Sequence, residues 1–174
     1  MKFEAFLKWW FMFTLVVVAT IFAAYLGFIK LLWEKDASYL SLTTLIIFFI
    51  TSIQCGKYIF SIEKIKSIDQ EKYDHFSRKE ENIWFVSELC LNLGMLGTII
   101  GFVMMLSGFE KLDVSNQQTI QGLLSELGKS MATALYTTLV GLMCGQLLKM
   151  EAFIMSQQLN KLEPQIKNWN QDEK

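Results

Sequence analysis

The chain has 174 residues, 52% hydrophobic and 19% charged, with one proline and a formal net charge of −1. Its charges are unevenly spread: 21 uncharged residues lie between Lys8 and Lys30, 20 between Asp36 and Lys57, 21 between Glu88 and Glu110, and 19 between Lys129 and Lys149. About 20 apolar residues carry a helix across the ~30 Å hydrocarbon core of a bilayer. Four such stretches exclude a soluble enzyme, a secreted disulfide scaffold and a nucleic-acid-binding domain. The expected fold is all-α: a polytopic membrane protein forming a single membrane domain, with four transmembrane helices at about 9–32, 37–60, 86–109 and 130–152.

The first apolar run, Trp9 to Ile29, is longer than the ~7–15 residues of a signal h-region, and Glu4 stands in front of it. An uncleaved first span is expected. A tight link around Glu34, Lys35 and Asp36 leads to span two. Residues 57–82 carry six basic and six acidic side chains with Ile62, Ile65, Ile68, Tyr73 and Phe76 among them. That mixture suits a cytoplasmic helical hairpin over about 61–85, whose arms extend spans two and three and meet along a thin apolar seam. His75, the only histidine, reads as a solvated side chain here.

In the third loop, Ser115 followed by Gln118 has the spacing of a capping box. Ile120, Leu123, Leu124 and Leu127 then fall at i, i+3, i+4 and i+7, with Gly128 as a stop signal. The spacing predicts an amphipathic helix over about 116–127, lying in the outer interface before span four. A helical extension of span four into the tail completes the extensions of spans two to four. Twelve lysines and arginines fall on the side of the termini and four on the other, so both termini are expected in the cytoplasm. Cys55, Cys90 and Cys144 lie far apart, without metal-ligand spacing, and read as small apolar residues.

No charge-free stretch contains an ionisable residue, so titratable groups within those stretches cannot relay a proton. Any ion that moves needs a carboxylate from another chain. Gly94, Gly97 and Gly101 share one face of span three, and Ala134, Thr138, Gly141 and Gly145 one face of span four. Small faces of this kind let helices approach closely in lipid. Spans one and two carry bulkier side chains and are assigned to the lipid side. Hydroxyls collect on the glycine-bearing pair, with Thr98 in span three and Thr133, Tyr136, Thr137 and Thr138 in span four. They either line an ion path or bond carbonyls of their own helices. No nucleophile–base pair is present, so no enzymatic activity is expected.

Gly94-Met95-Leu96-Gly97-Thr98-Ile99-Ile100-Gly101 and Ala134-Leu135-Tyr136-Thr137-Thr138-Leu139-Val140-Gly141-Leu142 resemble the paired motifs of the last two spans in the MotA/TolQ/ExbB proton-channel family. The resemblance covers about residues 85–155. It implies a pore-forming subunit of an ion-driven motor in the bacterial inner (cytoplasmic) membrane, assembled as a pentamer around a dimer of a MotB/TolR/ExbD-like single-span protein with a membrane aspartate. It also implies an ion pathway at Thr98 and Thr138, a transported proton or sodium ion, and no cofactor. Thr133 stands where TolQ and ExbB relatives often have a glutamate, and the insert between spans two and three is only about 26 residues. A non-conducting membrane scaffold is the alternative.

Overall fold

The computed structural model describes residues 4–27, 39–64, 70–109 and 117–172. They form α1 (Glu4–Tyr25), α2 (Leu40–Lys64), α3 (Gln70–Phe109) and α4 (Gln117–Asp172), with no strand among the described residues. Each helix is long and apolar enough to cross a membrane. A helix is the natural answer to such a sequence, because in lipid every backbone N–H and C=O must find its partner within the segment. The protein is a membrane protein with four spanning helices among its described residues.

α1 stops earlier than the span expected to about residue 32. Gly27 takes a left-handed conformation (φ 78°), which glycine adopts without steric cost, and its N–H donates to the Ala24 carbonyl at 3.0 Å. The link expected around Glu34–Asp36 lies outside the described residues. α2 and α3 both run beyond the apolar stretches, to Lys64 and from Gln70 respectively. Of the seam residues, Ile62 and Phe76 are buried, and Tyr73 packs against the same core. Ile65 and Ile68 lie outside the described residues. His75 is exposed on α3, with its ring edge-on to Phe76 at 5.8 Å.

α4 departs from the sequence-based expectation. The helix expected at 116–127 and the span expected from 130 are one element, and Gly128 does not end it. A glycine costs a helix interior only about 1 kcal/mol relative to alanine, and it stops a helix only when it turns left-handed. Gly128 keeps a helical backbone in open space. Ser115, the expected cap, lies outside the described residues.

The chain divides into two compact units. The first takes its described residues from 4–21, 48–64, 70–88 and 145–172, one stretch from each helix. Its core joins Ala5 and Trp9 of α1, Cys55, Ile59 and Ile62 of α2, Phe76 and Ile83 of α3, and Ala152, Met155 and Leu159 of α4. The i, i+3, i+7 spacing of the α4 residues places them on one stripe. The second unit comprises described residues of 22–47 and 89–144.

The start of α1 is secured from α2. Glu63 accepts hydrogen bonds at one carboxylate oxygen from the Ala5 and Phe6 N–H groups, at 2.8 and 3.2 Å. Those amides belong to the first turn, which has no acceptor within its own helix. A carboxylate there also complements the positive end of the helix dipole. Glu63→Ala is expected to cost about 1 kcal/mol locally. Amide hydrogen exchange should accelerate roughly fivefold over the first turn of α1 and stay unchanged in α4. Unchanged exchange at Ala5 and Phe6 would show that the carboxylate does not cap this helix.

Candidate functional site

In the second unit α3 and α4 pair in antiparallel sense through their small residues. Gly94 lies against Gly141, Gly97 against Thr137, and Gly101 against Ala134 and Ser130. A Cβ built on Gly141 would stand 2.6 Å from the Gly94 Cα and 2.8 Å from the Cys90 carbonyl oxygen. One on Gly101 would stand 2.7 Å from the Ala134 Cβ and 2.9 Å from the Ser130 carbonyl oxygen. One on Gly97 would collide with the Thr137 side chain. The two backbones therefore touch. Without a hydrophobic drive between helices in lipid, this close packing and the polar contacts it allows hold the pair.

The hydroxyls sit on and beside this seam. Thr133 donates to the Lys129 carbonyl at 3.2 Å, and Thr137 to the Thr133 and Ala134 carbonyls at 3.1 and 3.0 Å. Both threonines are buried. Half-buried Thr98 donates to the Met95 carbonyl at 2.5 Å on its own helix. Thr138 is different: besides the Ala134 carbonyl at 3.0 Å, its hydroxyl lies 3.3 Å from the Gly94 carbonyl across the seam. Thr98, Thr133 and Thr137 thus bond carbonyls of their own helices, and Thr138 also bonds the Gly94 carbonyl of the facing helix. Tyr136 is half-buried on α4. Gly145 is buried, but belongs to the first unit.

Sequence reasoning did not single out Ser130, whose carbonyl meets Gly101. Its position four residues before Ala134 and seven before Thr137 was the available signal, masked by the neighbouring Lys129. Away from the seam, Met95, Ile99 and Phe102 of α3 and Leu135, Leu142 and Met143 of α4 are exposed. All three cysteines are buried free thiols, and no cluster of metal-ligating residues occurs among the described residues.

Four apolar helices among the described residues, with two closed on each other through glycines and threonines, define a polytopic membrane protein. The chain belongs to the MotA/TolQ/ExbB proton channel family, whose model matches residues 60–168, more than half of its length. The matched range contains all of α3 and the seam of α4. Neither a curated protein nor a solved structure gives a significant match to the chain.

Proposed function

We propose that this chain is the pore-forming subunit of a proton-driven motor complex in a bacterial inner membrane, with both termini cytoplasmic. In this reading five copies surround a dimer of a single-span partner whose membrane aspartate binds the travelling ion. Movement of the ion is converted into mechanical work on a target. The observation that supports it is the seam itself. Hydroxyls of Thr98, Thr137 and Thr138 accompany the closely packed glycines, while the charge-free stretches of α3 and α4 supply no carboxylate. Thr98 and Thr138 would border the ion, Thr133, Tyr136 and Thr137 would line the approach, and the partner would bring the charge. A proton needs only that carboxylate and a neighbouring hydroxyl or water, whereas sodium needs several oxygens at one point to replace its hydration shell. The hydroxyls here donate to backbone carbonyls and keep lone pairs, an arrangement compatible with either ion.

The test is ion flux into liposomes. This chain alone should give no more flux than empty liposomes, since an apolar constriction blocks conduction by dewetting. Co-reconstitution with a single-span, aspartate-bearing partner should produce proton flux that persists when sodium is replaced by potassium. Selective flux from the chain alone would refute the shared site. A strict sodium requirement would keep the site and change the ion. Absence of flux with a co-purifying partner would favour the scaffold.

A further inference from the structure

The first unit holds a carboxyl group that plays no part in that reading. Glu151 of α4 is 1% exposed, and its Oε1 lies 2.6 Å from the hydroxyl of Ser52, a fully buried residue of α2 99 positions away in sequence. Its second oxygen, Oε2, is buried without a hydrogen-bond partner among the described residues. The Trp9 indole of α1 faces the same carboxyl, and its Nε1 is likewise buried and unpartnered. Gly56, one helical turn beyond Ser52 on α2, leaves the space that the Trp9 ring occupies. Three helices thus converge on one acidic side chain.

Nothing in this cluster balances a negative charge. From α2 the Cys55 thiol also faces Glu151, and no charged side chain of α1, α2, α3 or α4 acts on it among the described residues. Lys8 and Lys57, the nearest cations in sequence on α1 and α2, are exposed, and Lys149 on α4 is half-buried. A buried carboxylate facing only neutral groups bears a large desolvation cost. A bound cation or a bound proton removes that cost. A metal cation would need several oxygen ligands, and among the described side chains bonded to or facing this group Ser52 and the carboxyl itself offer oxygen, while the indole N–H can only donate. A proton needs none of that.

We propose that Glu151, Ser52 and Trp9 form a proton-binding site, distinct from the residues of the threonine seam. In the neutral state Oε1 carries the proton, the Ser52 hydroxyl accepts it, and Oε2 is left as a carbonyl oxygen beside the Trp9 indole. A hydroxyl can reverse its role in this way because it both donates and accepts. Losing the proton places an unpaired charge where α1, α2 and α4 meet, so the packing of the first unit is tied to occupancy of the site.

Infrared spectroscopy of the intact protein in lipid vesicles reads the site directly. At neutral pH the unmutated protein should show the carbonyl stretch of a protonated acid, and Glu151→Gln should remove it. At alkaline pH the band should give way to carboxylate absorption. Glutamine reproduces the neutral state, with its amide oxygen beside Trp9 and its NH2 toward Ser52, so Glu151→Gln should melt no lower than the unmutated protein. Spectra of the two proteins that coincide in the acid carbonyl region at neutral pH would overturn the proposal. If Glu151→Gln does not fold, Glu151→Asp decides: a shift of the acid band supports the site, and an unchanged band overturns it.

Discussion

Gly141→Ala is expected to prise α3 from α4, although it adds a single methyl group. That methyl would stand 2.6 Å from the Gly94 Cα, 2.8 Å from the Cys90 carbonyl oxygen and 2.9 Å from the Gly94 nitrogen. All three obstacles are backbone, so no rotamer change relieves the clash and the helices must separate. Separation also lengthens the 3.3 Å reach from the Thr138 hydroxyl to the Gly94 carbonyl. Overpacking in a tight interior costs about 1–3 kcal/mol, and a rigid backbone contact belongs at the upper end. Unfolding in mild detergent should show this loss together with a smaller yield of assembled protein. Gly122→Ala and Gly128→Ala are the matched controls. Both glycines look into open space, so each change should raise stability by about 0.5–1 kcal/mol through helix propensity alone. Gly141→Ala behaving like these two would show that the helices do not meet at this seam.

The second large effect is expected where α1 meets α2. A Cβ on Gly56 would collide with the benzo edge of the Trp9 indole. That ring cannot swing aside freely, since it stacks on Phe13 with ring centroids 5.1 Å apart and lies 5.7 Å from Phe6. Gly56→Ala should therefore cost about 2 kcal/mol. Trp9→Ala should cost about 3–5 kcal/mol, as expected for emptying a buried aromatic site. The two changes are coupled, because removing the indole opens the space the new methyl needs. The double variant should be about 1–2 kcal/mol more stable than the sum of the single losses predicts. Strict additivity in the same unfolding measurement would mean that Trp9 does not occupy the space above Gly56.

Much of the site's layout was legible along the chain because its physical causes are local. Lipid rejects charge, so four uncharged runs reveal four spanning helices without knowledge of their neighbours. Small residues at i, i+3 and i+7 reveal a face that can come close to another helix, as with Gly94, Gly97 and Gly101. The apolar stripe of Ala152, Met155 and Leu159 has the same kind of origin, a helical period written into sequence. Gly128 shows where local reasoning fails. A glycine after an amphipathic segment signals a helix end, yet its propensity cost of about 1 kcal/mol is easily outweighed when the flanking segments both favour a helix.

By itself the sequence determined the membrane class and the four described helices, through composition and periodicity, and the family, through its paired motifs. Only the tertiary structure decided which residues meet. It set Gly97 against Thr137, gave the cross-helix bond to Thr138 rather than Thr98, and carried α4 unbroken through Gly128. It also brought Glu151 to Ser52 across 99 residues and placed the Trp9 ring over Gly56. Such pairings depend on how helices remote in sequence rotate and slide against one another, and contact geometry between backbones sets both.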